Sequence, residues 1–449
     1  MYPTFFKHIL NPLFEKVIKR RKMLDYRDFL EQSQWWTRDK LLDFQWQELK
    51  KLLAHADTQV PYWKNIFAEL KMTPENIRSY EDFLKLPIIT KDDIRANHPQ
   101  MIAKNFLGKT WRKATGGSTG APLQLDYTPE SFDWRVAISK RGYGWTGCED
   151  GMRQAWIWGV DIGDPTLFKR FKVSLHRWIF NMRYYNSFKF DDRQMRICLN
   201  SINQFKPEII VGYTNPLYNF AYFVDQHDGI RFQPKSVIAA SEKFHEYHRE
   251  KLSQVFGCPV FNTYGCREFM LIAAECSEQK GLHLSVENLY IEIIREDGVS
   301  ARPGEMGYVV ITDLHNFGMP FVRYKIGDMA IASDRTCACG RGLPLIEDVV
   351  GRSMDMIRTL DGKVIPGIYF PHLMKEFKGV KQFQVIQDAL DKLMIKIVRT
   401  PDLKESDFET MKKEIFKIMG TKIQIDFQFV ADIPLTQTGK YRVTVSNLK

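Results

Sequence analysis

The sequence predicts an α/β protein, with a large N-terminal domain of mixed β-sheets covered by helices and a small C-terminal α+β domain. Between residues 110 and 350, short apolar runs such as Glu208–Gly212 and Ser236–Ala240 alternate with helical stretches, a pattern typical of parallel or mixed sheets. The C-terminal part of the chain instead places strand-like runs around a single helical stretch. A length of 449 residues suits one large domain plus one smaller one.

Hydrophobic spacing places the elements of both domains. Residues 23–80 are predicted to be helical, and Thr90 to cap a helix that follows a short apolar segment. Ala155–Trp158 is predicted as a strand. In the C-terminal domain the predicted elements are two paired strands, a helix and a third strand, at Lys381–Ile386, Leu393–Val398, Glu405–Met419 and Ile423–Phe429.

Composition excludes several classes of protein. No apolar run reaches the roughly 18–20 residues that a membrane span needs, and the N-terminus has no signal-peptide core. The seven cysteines are an odd number scattered along the chain, which does not suggest a disulfide framework. A reducing, cytoplasmic location is therefore expected. The net charge of +10 would suit nucleic acid, but no nucleic-acid motif is visible, so we expect no such partner.

Residues 1–22 form a basic amphipathic pattern. Apolar residues recur at helical spacing from Phe5 to Ile18, with Pro12 between them, and Lys16, Lys19, Arg20, Arg21 and Lys22 cluster at the end. Such a helix can lie on a membrane surface, or it can pack its apolar stripe on its own domain. A peripheral location at the inner membrane surface is therefore one of two predictions for this segment.

A loop rich in small and hydroxyl residues, Thr115–Pro122, is the most informative stretch. Its backbone N–H groups and hydroxyls can surround an anion such as phosphate. It lacks the Gly-Lys-Ser/Thr of a Walker loop and the glycine spacing of a dinucleotide fingerprint. The candidate phosphate-binding residues are Thr115, Gly116, Gly117, Ser118, Thr119 and Gly120.

Four further segments follow this loop in a fixed order. They are Asn262–Glu268 (NTYGCRE), Arg323–Asp328 (RYKIGD), Gly351–Asp355 (GRSMD) and Pro434–Lys440 (PLTQTGK). Together with the loop they resemble the adenylate-forming superfamily of acyl-CoA ligases, and most of all the phenylacetate–coenzyme A ligase family with its capsular-polysaccharide (CapK-like) branch. The resemblance runs from about Trp35 to Lys440.

The resemblance implies an ATP-dependent ligase that joins a small carboxylic acid to the α-phosphate, releases pyrophosphate and passes the acyl group on. The acceptor is the thiol of coenzyme A or, alternatively, an amine in surface polysaccharide biosynthesis. It implies an N-terminal domain over residues 1–352 and a mobile C-terminal lid domain over 353–449. A catalytically silent membrane scaffold is a third hypothesis, which intact Glu268, Asp328 and Lys440 disfavour. The oligomeric state is open, with a homodimer as one option.

The resemblance also assigns the nucleotide site. Tyr264 would stack on adenine, with Asn262, Thr263 and Gly265 beside it. Glu268 would hold Mg²⁺ against the phosphates. Ser241 and Glu242 match the adenine-edge segment loosely. The loop would wrap the β- and γ-phosphates, although Ala121 stands where many relatives carry a cation.

The remaining assignments concern the ribose, the lysine and the acid. Asp328 would accept hydrogen bonds from the ribose hydroxyls, and Arg352 would add a contact to the ribose or the phosphate. Lys440 would bridge the carboxylate and the α-phosphate. Met354 occupies the hinge position where relatives have Asp or Lys. The acyl pocket of relatives falls on Trp158, Gly212 and Tyr213, which equally suit a plain core.

A metal site is predicted from cysteine and histidine residues. Six residues separate Cys276 from His283, and Cys337 and Cys339 form a Cys-X-Cys-Gly turn later in the chain. One histidine and three cysteines can make a closed tetrahedral zinc site of the structural kind. The alternative is four unrelated small buried groups.

Overall fold

The structure of the protein is a computed structural model. It describes residues 2–114, 123–159, 167–187, 190–227, 229–352, 356–365, 369–374, 376–377, 379–434 and 442–448. The chain forms two compact units, one of Met1–Ile326 with Ile331–Asp348, the other of Gly327–Ala330 with Val349–Lys449. The predicted boundary after residue 352 stays a prediction. None of the described helices is long and apolar enough to cross a membrane.

Several helices of the described residues begin at a capping side chain. Thr37 Oγ1 accepts from Lys40 N at the start of the helix Arg38–Gln59, and Thr90, the predicted cap, forms a capping box with Asp93 at the start of the helix Lys91–Asn97. The helices are α1 (Tyr2–Phe5), α2 (Met23–Ser33), α3 (Arg38–Gln59), α4 (Pro61–Glu69), α5 (Tyr80–Phe83), α6 (Lys91–Asn97), α7 (Pro129–Gly144), α8 (Leu167–Ile179), α9 (Asp192–Phe205), α10 (Thr214–Asp225), α11 (Glu246–Phe256), α12 (Tyr369–Met374) and α13 (Glu405–Met419). Single-turn segments are π-helical at Phe6–Leu10 and Leu13–Ile18 and 3₁₀ at Pro74–Asn76, His98–Met101 and Lys104–Phe106.

The strands form one large sheet, one four-stranded sheet and two hairpins. They are β1 (Trp111–Ala114), β2 (Gln124–Tyr127), β3 (Gln154–Trp158), β4 (Met182–Asn186), β5 (Ile209–Tyr213), β6 (Ser236–Ala240), β7 (Val260–Cys266), β8 (Met270–Ala274), β9 (Leu282–Leu284), β10 (Leu289–Ile294), β11 (Met306–Asp313), β12 (Tyr324–Ala332), β13 (Leu345–Arg352), β14 (Ile357–Arg358), β15 (Val364–Ile365), β16 (Val380–Ala389), β17 (Lys392–Arg399), β18 (Gln424–Phe429) and β19 (Thr444–Ser446). The large sheet has the order β10-β11-β12-β13-β9-β8-β7-β6-β5-β3-β4.

The large sheet is parallel at one end and antiparallel further along. Strands β4, β3, β5, β6 and β7 run parallel, and β7 pairs antiparallel with β8. Strands β3, β5, β6 and β7 are largely buried, because helices α9, α10 and α11 pack their apolar faces on them in one core cluster, whereas the edge strand β4 is only partly buried. The predicted mixed α/β fold is confirmed, and the direction of the sheet changes at β7.

The C-terminal unit has its own core. Its sheet has the order β18-β17-β16-β19, with β16 and β17 antiparallel and β17 and β18 parallel. Helix α13 buries Phe408, Met411, Ile415 and Met419 in the core cluster of this sheet. The helix predicted at Glu405–Met419 has the bounds of α13, and the predicted pairing of the first two strands is confirmed.

Candidate active site

The motif Asn262–Glu268 lies where the sheet changes direction. It forms the end of β7 and the turn into β8, and Asn262 pairs with Ala239 of parallel β6. Ligands of open α/β sheets bind beyond the carboxyl ends of the parallel strands. Tyr264 on β7 and Glu268 in the turn that follows are each only 8% exposed, so the segment at this end of the sheet supplies one buried aromatic ring and one buried carboxylate.

Hydrogen bonds hold this segment in place. Thr263 Oγ1 donates to the carbonyl of Ala239 at 2.9 Å, which ties β7 to β6. The backbone N–H of Asn262 donates to Glu275 Oε2 at 2.7 Å. The Tyr324 hydroxyl donates to Glu268 Oε1 at 3.5 Å, a long contact that leaves acceptor capacity on the carboxylate. Glu268 can therefore serve as a ligand for a hard cation.

Gly265 is required by close packing in the same turn. A Cβ atom at this position would lie 2.2 Å from the carbonyl oxygen of Met270, which belongs to the backbone of β8. A clash with a flexible side chain can be relieved when that side chain rotates, but a clash with backbone atoms requires the strands to move apart. The close approach of the two strands therefore depends on a glycine between Tyr264 and Glu268.

We expect Gly265→Ala to destabilise the protein by about 1–3 kcal/mol, because the β7–β8 turn must open to admit the methyl group. Gly144→Ala is the matched control, since a Cβ at Gly144 meets nothing within 4 Å and its backbone is helical. Denaturant unfolding of both variants measures the difference. Equal unfolding midpoints for the two variants would contradict the packing argument.

Ser241 and Glu242 directly follow β6. Ser241 has a left-handed backbone with φ of 69°, and Glu242 Oε2 accepts from the N–H of Asn215 at 2.8 Å. A carboxylate at this place stabilises the first turn of α10 through its free N–H groups and dipole. Glu242 thus has a structural contact, and its predicted role at the adenine edge stays a prediction.

The predicted acyl-pocket residues lie side by side at the ends of β3 and β5. The ring centroids of Trp158 and Tyr213 are 4.4 Å apart, and both residues are half-buried. A Cβ at Gly212 would lie 2.7 Å from Leu217 Cγ and 2.9 Å from the carbonyl of Ile157. Gly212 therefore lets α10 approach the sheet, while the two aromatic rings are available to line a pocket.

Asp328 and Arg352 belong to the C-terminal unit and face each other there. Arg352 Nε lies 3.7 Å from Asp328 Oδ1, with side-chain exposures of 40% and 16%. A pair this exposed contributes little stability. The loop residues Thr115–Gly120, the hinge residue Met354 and Lys440 lie outside the described residues.

The four predicted metal ligands lie together in the N-terminal unit. Their ligand atoms are all within 4.8 Å of one another: those of Cys276, His283, Cys337 and Cys339. Cys276 Sγ is 3.6 Å from Cys337 Sγ, and Cys339 Sγ is 3.3 Å from His283 Nε2. In a tetrahedral zinc site with bonds of about 2.0–2.3 Å, neighbouring ligand atoms are roughly 3.3–3.8 Å apart. The donor set and its spacing therefore fit zinc.

A backbone contact orients the histidine of this cluster. His283 Nδ1 lies 3.2 Å from the carbonyl oxygen of Leu343, which calls for a proton on Nδ1 and leaves the Nε2 lone pair toward the sulfurs. Burial lowers the pKa of His283 to about 4, so the ring is neutral at pH 7. The cluster joins the β8–β9 turn to the loop between β12 and β13.

Two cations that lie close enough to repel each other, Lys113 and Arg267, were missed by the sequence reasoning. Lys113 Nζ lies 4.9 Å from the Tyr127 ring centroid, and burial lowers the pKa of Lys113, with Arg135 and Arg267 adding repulsion. Arg135 is paired with Asp313 at 2.5 Å. The available signal was position, because Lys113 stands two residues before the loop and Arg267 one residue before Glu268.

Comparison with solved structures shows which known proteins share this fold. The structure matches 2-hydroxyisobutyryl-CoA ligase in its postadenylation state, in complex with an acyl-AMP, with a TM-score of 0.69 at 16% identity, over 89% of this chain and 88% of the other. The O-succinylbenzoate coenzyme A synthetase of Bacillus subtilis, in complex with ATP and magnesium ion, matches with a TM-score of 0.52 at 16% identity, over 74% and 68%. The chain has the fold of the adenylate-forming CoA ligases.

The sequence comparisons point to particular families within this class. Residues 357–447 match the model of the CapK C-terminal domain. The chain is 25% identical to protein CapK of Staphylococcus aureus over 394 residues, which are 86% of this chain and 84% of that protein. It is 24% identical to a phenylacetate–coenzyme A ligase of Thermus thermophilus over 394 residues, 84% and 86% of the two chains. The predicted resemblance is confirmed: the chain is similar to both proteins, and its residues 357–447 match the family model of the CapK C-terminal domain.

Proposed function

We propose that the protein is an ATP-dependent ligase that activates a small carboxylic acid as an acyl-adenylate and passes the acyl group to coenzyme A. A carboxylate oxygen bonds to the α-phosphorus, and the bond from that phosphorus to the β-phosphate oxygen breaks to release pyrophosphate. A thiol then bonds to the acyl carbon, its proton is released, and AMP leaves. The observation that carries the proposal is the buried Glu268 carboxylate in the turn that follows β7, four residues after the buried Tyr264.

The proposed reaction joins two anions, and the residues of the proposed site would neutralise their charge or hold them in position. Glu268 would hold Mg²⁺, which neutralises phosphate charge when bound. Lys113 and Arg267 would supply the positive charge that Ala121 does not supply in the loop. Trp158 and Tyr213 would orient the acid, since half-buried rings exclude water from an apolar group. Lys440 would approach the reacting carboxylate.

Transfer to an amine is the second candidate. The match of residues 357–447 to the CapK C-terminal domain supports this candidate, because the amine acceptor is the one expected for the capsular-polysaccharide branch. Met354 at the hinge position supports a different second step, because the hinge governs the arrangement in which the acceptor attacks. The first step is the same for both acceptors.

We also propose a structural zinc ion, held by Cys276, His283, Cys337 and Cys339, and peripheral contact of residues 1–22 with an anionic membrane. The zinc would act on folding rather than on the reaction, since four protein ligands close a tetrahedral site. Cytoplasmic location and the homodimer remain predictions.

ATP–pyrophosphate exchange against a panel of carboxylic acids tests the proposed function. We expect exchange with at least one acid, and an increase of roughly tenfold or more in the KM for ATP in Asp328→Asn, which loses an acceptor for the ribose hydroxyls. Asp348→Asn is the control, because Asp348 pairs with Lys243 in the N-terminal unit. Product analysis with coenzyme A or amines then separates the two acceptors. Absence of exchange with every acid, while ATP still binds, would contradict the proposal.

A further inference from the structure

The N-terminal segment buries two polar side chains and leaves most of its large apolar side chains exposed. Asn11 and Glu15 are buried, with Asn11 Nδ2 donating to Asp150 at 3.0 Å and Glu15 paired with Arg21 at 3.2 Å. Five large apolar residues on the same segment are 46–65% exposed: Phe5, Ile9, Leu13, Val17 and Ile18. The prediction that the apolar stripe packs on its own domain therefore fails for most of the stripe, and only Phe6 is fully buried.

Helix α8 carries a second exposed apolar row. Phe168, Phe171 and Trp178 are 76%, 66% and 77% exposed, and Leu175 is 43% exposed. At 3.6 residues per turn these four positions fall on one face, within a quarter of a turn. A single exposed leucine would be ordinary, but a helical face with three exposed aromatic residues is a marker of an interaction surface.

The two rows belong to adjoining helices. The Tyr2 hydroxyl donates to the carbonyl of Ile179 at 2.5 Å. The ring of Phe14 lies 6.1 Å from that of His176 and 5.7 Å from that of Phe180. These contacts hold the N-terminal segment against the end of α8, so the exposed apolar residues of both lie in neighbouring regions of the molecular surface, here together called the two-helix surface.

Charge distinguishes this surface from the rest of the protein. Residues 1–22 contain six Lys or Arg and one Glu, and α8 contains four Lys or Arg and no acid. These two short segments therefore account for nine of the ten net positive charges. The acids that face them are Asp25, Asp133, Glu149 and Asp150, paired with Lys16, Arg21, Lys7 and Arg27 respectively.

We infer that the two-helix surface binds anionic phospholipid bilayers, with the aromatic row of α8 inserted among the headgroups. Amphipathic helices with aromatic residues on one face and Lys or Arg flanking it lie in the membrane interface in this way. A second copy of the chain fits less well, because protein interfaces are depleted in lysine. The inference extends the contact proposed for residues 1–22 and rests on it, but it is independent of the ligase activity.

Co-sedimentation of the full chain with vesicles tests the inference. We expect binding to phosphatidylcholine vesicles that contain roughly one third phosphatidylglycerol, little binding to phosphatidylcholine alone, and release at roughly 1 M salt, where the Debye length is about 3 Å. Phe171→Ser with Trp178→Ser should weaken binding at least about tenfold. Leu107→Ser with Ile197→Ser is the matched control, since these residues are 61% and 50% exposed elsewhere.

Two further sets of variants separate the contribution of the N-terminal apolar row from that of the positive charge. Ile9→Ser with Val17→Ser tests the N-terminal row alone, and Lys19→Glu with Lys172→Glu tests charge against Lys64→Glu with Lys280→Glu. Circular-dichroism melting and ATP–pyrophosphate exchange should be unchanged in all variants, which shows that lipid binding is lost without unfolding. Quenching of tryptophan fluorescence by brominated lipid should fall in Trp178→Phe.

Several outcomes would overturn the inference. Wild-type binding by Phe171→Ser with Trp178→Ser, together with loss in the Ile9→Ser pair, would restrict the contact to the N-terminal segment. Equal binding to neutral and anionic vesicles would refute the charge argument. Light scattering that shows a dimer, dissociated by the α8 variant, would assign the surface to a second copy of the chain.

Discussion

Lys440→Ala is expected to reduce acyl-adenylate formation by a factor of at least about 10²–10³, or roughly 3–4 kcal/mol, because it removes a positive charge from the place where negative charge develops. ATP binding should persist, since the proposed magnesium and ribose contacts come from Glu268 and Asp328. Acyl transfer from a pre-made acyl-adenylate should change far less, because the C-terminal domain of such ligases moves between the two steps. Pyrophosphate exchange measures the first step and single-turnover transfer the second.

The control for this prediction is Lys422→Ala, which removes an exposed lysine from the same C-terminal unit. It should leave both steps unchanged. Equal loss of the two steps in Lys440→Ala, or no loss of the first, would contradict the division of labour between them. A large effect on the second step would point to Met354, which replaces the usual hinge residue.

Local patterns predicted the fold well. The bounds of α13 and the pairing of β16 with β17 follow from hydrophobic periodicity, which depends on neighbours a few residues away. The metal cluster was predictable because cysteine and histidine restrict the chemistry, even though Cys276 and Cys337 are 61 residues apart.

Features that depend on distant contacts between ordinary residue types, without a restrictive chemistry such as metal binding, were not predictable. The N-terminal segment has helical periodicity, but the pattern cannot show that Asn11 faces Asp150 and that the apolar residues face outward. The contact of Glu242 with the start of α10 and the close approach of Gly265 to Met270 arise only in the folded sheet. The role of Lys113 and Arg267 was not predictable for the same reason, because the function of a single cation depends on neighbours that the sequence does not show.

Removal of zinc is expected to destabilise the N-terminal unit. Protein purified without added metal should contain about one zinc per chain, and a strong chelator should lower the melting temperature by about 5 °C or more. The physical reason is that the cluster ties the β8–β9 turn to the loop between β12 and β13, and three cysteine sulfurs without a metal have no equivalent bond. Elemental analysis and thermal unfolding are the measurements.

Cys339→Ser should lose the zinc and show the same fall in melting temperature without added chelator, whereas Cys148→Ser, far from the cluster in sequence, should retain both metal and stability. Exchange activity per folded molecule should be similar in the two variants, because a closed site offers no open position for substrate. A zinc content near zero, with all seven thiols freely titratable, would contradict the prediction. Zinc that is present but lost with no change in melting temperature would show that the metal is bound without supporting the fold, since a structural site couples binding to folding.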